Sequence, residues 1–323
     1  MTPQNTFQPI RLILARRAGF CRGVNRAVSE AYRLSEPELI SALPLYMYGE
    51  IIHNSGVVNA LLERGIVLAH DIGSIPQGAR VLIRAHGISP QERSQMQRRD
   101  LEIIDCTCGY VHRIHLLVRE AAHAGKTVII VGNPNHPEVR GISGEADDRF
   151  YILSDPEEVD LLPPLEKNVI VVAQTTWSVE KFRQICKKLE KMITTIEIFD
   201  TICSATLARQ EEVAEIAHSA DLMMIIGAAN SSNTLKLVDL SRAVCPKTYL
   251  VQNPSEVEGI LANSEHPISV IGLSSGASAP EDLIDSVRQR IIDYYTANRR
   301  KISCEYNKQA KSNMIGNRFR NTY

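Results

Sequence analysis

Short apolar runs rich in β-branched residues alternate with amphipathic stretches along most of the chain. The runs at Arg11–Ala15, Val81–Ala85, Thr127–Val131, Asn168–Ala173, Asp221–Gly227 and Pro267–Gly272 predict buried parallel strands. A strand covered on both faces reads as a near-continuous apolar run. Between them, Val24–Leu34, Val111–Ala124, Val179–Met192 and Glu211–Ala220 carry apolar residues at the helical period. Strand and helix in alternation is the α/β pattern.

A longer period lies over this one. Three times a strand leads to a cysteine and a helix begins just after it: at Cys21 (AGFCRGVNRAV), Cys108 (DCTCGYVHRIHLL) and Cys203 (DTICSATLARQEEV). After each helix comes a strand with a polar tip, and the tips are His53-Asn54, Asn135-His136-Pro137-Glu138 and Asn230-Ser231-Ser232-Asn233. Another helix and strand lead to a second tip, at Ala85-His86-Gly87, Gln174-Thr175-Thr176 and Ser274–Ser278. The chain therefore reads as three similar α/β units of roughly 90 residues each. Their expected bounds are 23–108, 109–199 and 200–290, with 1–22 as an N-terminal segment and first strand and 291–323 as a C-terminal tail. The basic, polar stretch Arg299–Tyr323 is expected to be mobile or loosely packed. In open α/β sheets ligands bind beyond the carboxyl ends of the strands. Three units around a common axis would bring six tips and three cysteines to one centre.

Composition adds limits. The 323 residues are 44% hydrophobic and 23% charged, with a net charge of -1. Near-neutrality gives no electrostatic reason to expect nucleic acid or an anionic membrane as partner. No apolar run reaches the roughly 20 residues that span a bilayer. Met1–Pro9 is polar, without the apolar stretch of a secretory signal. A cytoplasmic protein is expected, in which seven cysteines serve as ligands, catalysts or core residues rather than disulfides.

A cysteine at a helix start meets unpaired N–H groups and positive partial charge, which favours the thiolate. Three converging thiolates suit an iron–sulfur cluster or zinc. The compact spacing of ferredoxins is absent, and a four-iron cluster on three cysteines keeps one iron open to act as a Lewis acid. Cys186, Cys245 and Cys304 read as small buried hydrophobes. Cys106 reads the same way but lies two residues from Cys108; its side chain is expected to diverge from that of Cys108 only in a helical backbone.

The tips offer His53, His86, His136, Thr175, Ser231, Ser232, Asn233 and Ser278, hydrogen-bond donors without a lysine or arginine among them. Such donors, with helix N-termini, can hold a diphosphate. Asn233 is also placed to cap the helix that follows. Glu138, in a partly buried polar centre, can have a raised pKa and donate a proton; the plainer reading pairs it with Arg140. His112 and His115, three apart on a helix, read as surface or core residues rather than a metal site.

The stretches GFCRGVNRAV, His53-Asn54, AHGIS, the TC of DCTC, HPEV, QTTWSV, ICSAT, NSSN and GASAP run in order from about residue 9 to about residue 290. As a set they resemble the 4-hydroxy-3-methylbut-2-enyl diphosphate reductase family, which ends the methylerythritol phosphate route to isoprenoids. The resemblance implies a trefoil of three α/β domains around a [4Fe–4S] cluster on Cys21, Cys108 and Cys203. It implies a diphosphate held by His53, His86, His136, Ser231, Asn233 and Ser278, with Ser232 adjacent, and catalysis by Glu138 and Thr175. It further implies a ferredoxin or flavodoxin as electron donor. The chain departs from the family pattern at Gly109, Cys106, the ARRAGFC stretch and Ala228-Ala229. Two alternatives stay open at this point: a paralogue reducing another allylic diphosphate, and a sensor or zinc protein without turnover.

Overall fold

The computed structural model describes residues 9–40, 44–165, 168–264 and 267–307. The polar N-terminus falls outside them except for Pro9. The chain starts with β1 (Ile10–Leu14), α1 (Arg22–Leu34) and the short α2 (Pro37–Ile40). Next come β2 (Leu45–Tyr48), α3 (Ser55–Glu63), β3 (Val67–Ala69), β4 (Arg80–Ile83), α4 (Pro90–Arg98) and β5 (Glu102–Asp105). The second unit has α5 (Gly109–His123), β6 (Thr127–Val131), α6 (Pro137–Ser143), β7 (Phe150–Leu153), β8 (Val169–Ala173), α7 (Val179–Met192) and β9 (Ile196–Ile198). The third has α8 (Ser204–Ser219), β10 (Leu222–Ile226), α9 (Ser232–Val244), β11 (Thr248–Val251), α10 (Glu256–Ala262), β12 (Val270–Ser275), α11 (Glu281–Ala297) and β13 (Ile302–Tyr306).

These strands make three parallel sheets, with orders β3-β2-β4-β5, β7-β6-β8-β9 and β11-β10-β12-β1-β13. The α/β architecture of three similar units is therefore present. The order is the same each time, and β1 takes the place in the third sheet that β5 and β9 take in theirs. The first strand thus belongs with the last unit, in register Arg11↔Val270 to Leu14↔Leu273. The third unit closes on the start of the chain.

The expected tail is corrected at β13. Ile302–Tyr306 pairs with β1 along its length, and Arg11 forms a 2.6 Å ion pair with Glu305 across the two strands. As an edge strand with Ser303 and Cys304 exposed, it carries no apolar run to betray it. Residues 308–323 lie outside the described residues.

Each sheet carries an apolar cluster on either face. Met47 and Leu82 lie on one side of the first sheet, Val81 and Ile83 on the other. Val131 and Val171 oppose Ile130 and Val172 in the second, and Met224 and Leu273 oppose Met223 and Ile225 in the third. Burial on both faces explains why β8 and β10 are buried at every residue. No helix among the described residues is long and apolar enough to cross a membrane.

Candidate active site

In each sheet the chain leaves the two central strands in opposite directions: β2 toward β3 and β4 toward β5, and likewise β6/β8 and β10/β12. That is a topological switch point, where loops beyond the carboxyl ends of the strands part and leave a crevice. All six polar tips follow these six strands. The strand beside each pair, β5, β9 or β1, leads to a cysteine. One central cavity, with an empty volume of about 720 Å³, is lined by Cys21, Cys108, Cys203, His53, His86, His136, Glu138 and Thr175. Ser231, Ser232, Asn233 and Ser278 line it too. Every candidate residue picked from the sequence is in that wall.

The three cysteines are the N-cap residues of α1, α5 and α8. Cys21 Sγ accepts from the Val24 N–H at 3.5 Å, and Cys203 Sγ from the Thr206 N–H at 3.3 Å. A Cβ on Gly23 would lie 2.6 Å from Cys108 Sγ, so glycine lets α1 approach that thiol closely. The expected lowering of the thiol pKa is corrected for Cys108 and Cys203. Burial raises both, and the N–H groups at the helix starts offset this incompletely. A coordinated thiol is nonetheless deprotonated outright, because the metal's own charge dominates.

The other cysteines lie elsewhere. Cys106 is 2% exposed, packed in the apolar cluster of the first unit, with its thiol pushed up to about 11 by burial. The DCTC segment is not helical, so the expectation that divergence from Cys108 needs a helix is also corrected. The main-chain N–H groups of Cys106 and Cys108 donate to the Ile83 and Ala85 carbonyls past the end of β4, and from this irregular segment Cys106 packs into the core while Cys108 lines the cavity. Cys186 and Cys245 are buried, as expected; Cys304, on the edge strand, is exposed rather than buried.

His53, His86 and His136 form one cluster. The His53 and His86 rings stack at 4.6 Å, and His136 stands edge-on at 5.5 and 5.1 Å. Their ligand atoms lie within 4.8 Å of one another. A metal ion would need lone pairs that converge, and two stacked rings do not aim theirs at one point. Burial holds all three below the usual imidazole range, His136 at about 3. They are neutral at pH 7. His136 Nδ1 accepts the Glu138 N–H at 3.2 Å, which leaves the ring proton on Nε2.

Glu138 is 1% exposed. The Thr175 N–H donates to its Oε1 at 2.6 Å, and the Thr175 hydroxyl donates to Oε2 at 2.8 Å. Burial raises its pKa to about 7 against these two bonds. Its hydrogen bonds run to Thr175, so the alternative pairing with Arg140 is not what holds it.

The third unit supplies hydroxyl and amide groups. Ser231, not Asn233, caps α9, through a 3.4 Å bond from the Thr234 N–H. Asn233 is the second residue of the helix and is 4% exposed, with both amide atoms buried and unpartnered. His53 Nε2, His86 Nδ1 and Ser278 Oγ are likewise buried without partners. Buried polar atoms left unpaired in numbers are costly and signal a missing ligand. Neutral donors of this kind fit an anion, and three cysteines on the same cavity fit a soft metal group.

Arg84, next to the AHG motif, is a functional residue that no sequence motif singles out. Its guanidinium lies 5.7 Å from the Tyr48 ring, and its charge adds to burial in holding all three imidazoles neutral. Glu50 bridges the first and third units: its Oε2 lies 3.5 Å from His53 Nδ1 and accepts from Asn230 Nδ2 at 3.4 Å. Of the histidine pair on α5, His112 is exposed and His115 is buried against Glu145, so they make no joint site.

Residues 12–292 match the family model described as "LytB protein". The chain is 36% identical over 285 residues to a protein of Geobacter sulfurreducens named 4-hydroxy-3-methylbut-2-enyl diphosphate reductase, covering 88% of this chain and 98% of that one. A protein of Clostridium perfringens strain SM101 with the same name is 38% identical over 282 residues, covering 87% and 98%. Among solved structures, the E-1-hydroxy-2-methyl-but-2-enyl-4-diphosphate reductase of Plasmodium falciparum superposes with a TM-score of 0.84 at 30% identity, covering 94% of this chain and 93% of that one.

Proposed function

The chain belongs to the LytB protein family, and from that premise we propose that it reduces 4-hydroxy-3-methylbut-2-enyl diphosphate to isopentenyl and dimethylallyl diphosphates. The observation that carries the reading is the single cavity on which three cap cysteines, a neutral histidine cluster and a carboxyl group near pKa 7 meet. The name shared by its relatives supports the substrate.

Cys21, Cys108 and Cys203 would hold a [4Fe–4S] cluster. When bound, that cluster supplies electrons and a Lewis-acidic iron beside the substrate hydroxyl. The diphosphate is received by His53, His86, His136, Ser231, Asn233 and Ser278, with Ser232 adjacent. His136 donates through Nε2, and Asn233 and Ser278 bring atoms that lack any other partner. Arg84 adds positive potential where the donors themselves are uncharged.

Overall, an allylic alcohol takes up two electrons and two protons; its C–O bond is replaced by C–H and water leaves. Glu138 is the proton source for the departing oxygen. A carboxyl with pKa near 7 is protonated in a large share of molecules at neutral pH, where an ordinary glutamate is not. Thr175 orients that carboxyl through both oxygens. Electrons arrive singly from a ferredoxin or flavodoxin, and the reaction runs in the cytoplasm.

The test is anaerobic. Protein purified without oxygen should be brown, contain iron and acid-labile sulfide, and turn over the diphosphate with a chemical reductant. A colourless protein carrying stoichiometric zinc would contradict the proposal.

A further inference from the structure

Arg209 is 5% exposed and sits on α8, the helix that Cys203 caps. Its Nη2 donates to the Gly19 carbonyl at 2.6 Å and its Nη1 to the Ser275 carbonyl at 3.3 Å, while Nε is buried without a partner. No carboxylate among the described residues forms an ion pair with it. Glu212, one turn on and 4% exposed, spends its two oxygens on the main-chain N–H groups of Arg16 and Arg17, at 2.8 and 3.0 Å. A buried guanidinium without a counter-ion is costly. Negative charge on Cys21, Cys203 or Glu212 favours its cation.

The same contacts do mechanical work. Gly19 lies two residues before Cys21, and Ser275 Oγ accepts the Gly19 N–H at 2.7 Å. The loop that delivers Cys21 is thus tied to the helix that delivers Cys203 by Arg209 and Glu212. A positive charge fixed on the helix that Cys203 caps, and bonded to the carbonyl two residues before Cys21, has a second consequence. Adding an electron to a group held by three thiolates adds negative charge, and a buried cation nearby favours the added electron.

We propose that Arg209 is a positioning and charge-tuning residue for the metal group: it locks the Cys21 loop to the Cys203 helix and raises the reduction potential of whatever cluster the cysteines hold. This rests on the cluster reading above. Glu212 opposes it electrostatically while sharing its mechanical role. The two residues therefore separate charge from structure.

The experiment is a potentiometric titration of the cluster-loaded full chain, followed by the paramagnetic signal of the reduced state. Arg209→Met should make the one-electron reduction about tenfold less favourable, a midpoint lower by about 59 mV. Arg209→Lys, which keeps the charge, should stay within about threefold of wild type, and Glu212→Gln should move the midpoint upward. If Arg209→Met fails to hold the cluster, the other two variants decide. An unchanged midpoint in Arg209→Met, or a downward or absent shift in Glu212→Gln, overturns the proposal. A wild-type chain that binds no iron and sulfide overturns the cluster reading as well, which a cluster with an insensitive midpoint does not.

Discussion

Two buried polar clusters lie on either side of α6 and behave in opposite ways. In front, Glu138 faces the cavity with one threonine as partner, and burial raises its pKa to about 7. Behind, Glu145 accepts from His115 Nδ1 at 2.9 Å and from Arg119 at 2.8 and 2.9 Å, and these charge-assisted bonds hold its pKa down to about 2. The two glutamates are seven positions apart. Both are nearly inaccessible, at 1% and 8% exposure, so burial alone does not set their chemistry. The partners decide it. A paired carboxylate is a fixed anion and a structural tie. A carboxyl with neutral partners is a proton store.

The rear cluster serves the front one. A Cβ on Gly87 would meet His115 Nε2 at 3.1 Å, and one on Gly141 would meet the same ring at 3.3 Å. Gly87 follows His86, and its φ of 75° suits glycine. His115 on α5 therefore backs both the His86 loop and the helix α6 that carries Glu138, and Glu145 holds His115 in place. The same division into front and rear separates Cys108 on the cavity from Cys106 in the core.

The largest effect should come from exchanging front for rear within DCTC. Cys108→Ser should lose the cluster and all turnover, whereas Cys106→Ser should keep both and lose roughly 1–3 kcal/mol of stability for a buried hydroxyl. Iron content and chemical unfolding would show it, and the reverse pattern would make Cys106 the ligand. Next, Thr175→Val should lower turnover roughly tenfold. It should also move the alkaline limb of the pH–rate profile upward, because the lost hydroxyl bond is one that lowers the Glu138 pKa. A limb that moves down would break the link between the two residues.

Glu145→Gln should cost roughly 2 kcal/mol and change turnover little. The signs differ between the glutamates. Glu145 has a depressed folded pKa, so its stabilisation is present above the ordinary 4.5 and is lost as pH falls toward about 2. Glu138 has a raised one, so stability falls as pH rises from 4.5 toward about 7. Melting temperature against pH should lose part of its acid-side slope in Glu145→Gln and part of its slope from 4.5 to 7 in Glu138→Gln. Identical profiles in the two variants would erase the distinction.

The sequence revealed what is buried on both sides. Thr127–Val131 and Val179–Met192 match the predicted segments at both ends, and β1, β4, β6, β8, β10 and β12 all carry a predicted apolar run, whereas the central β2, only Leu45–Tyr48 and half-buried on one face, carries none. β12 ends in Ser274 and Ser275, buried polar residues beyond the apolar run, so the strand sits later than Pro267–Gly272 suggests. α8 begins at Ser204, just after Cys203 as the strand–cysteine–helix repeat predicts, and its first turns bury the polar Thr206, Arg209 and Gln210, which the apolar period from Glu211 onward does not show. The edge strands β3 and β9 are short and partly exposed and carry no apolar run; β9 is legible only as the strand that leads to Cys203. The site was legible because its residues recur at the same place in each repeat. Arg84, Arg209 and the His115–Glu145–Arg119 cluster were not, since each works from behind a tip through contacts that no spacing encodes.

Glu138, buried on the cavity that Cys21, Cys108 and Cys203 also line, is the proposed acid of the reaction. The direct measurement is anaerobic product formation from 4-hydroxy-3-methylbut-2-enyl diphosphate by wild type and Glu138→Gln at equal iron content. Turnover should fall roughly 10²–10⁴-fold in the variant, the range for loss of a general acid, with an unchanged cluster spectrum. Turnover within threefold of wild type at equal iron would contradict that role.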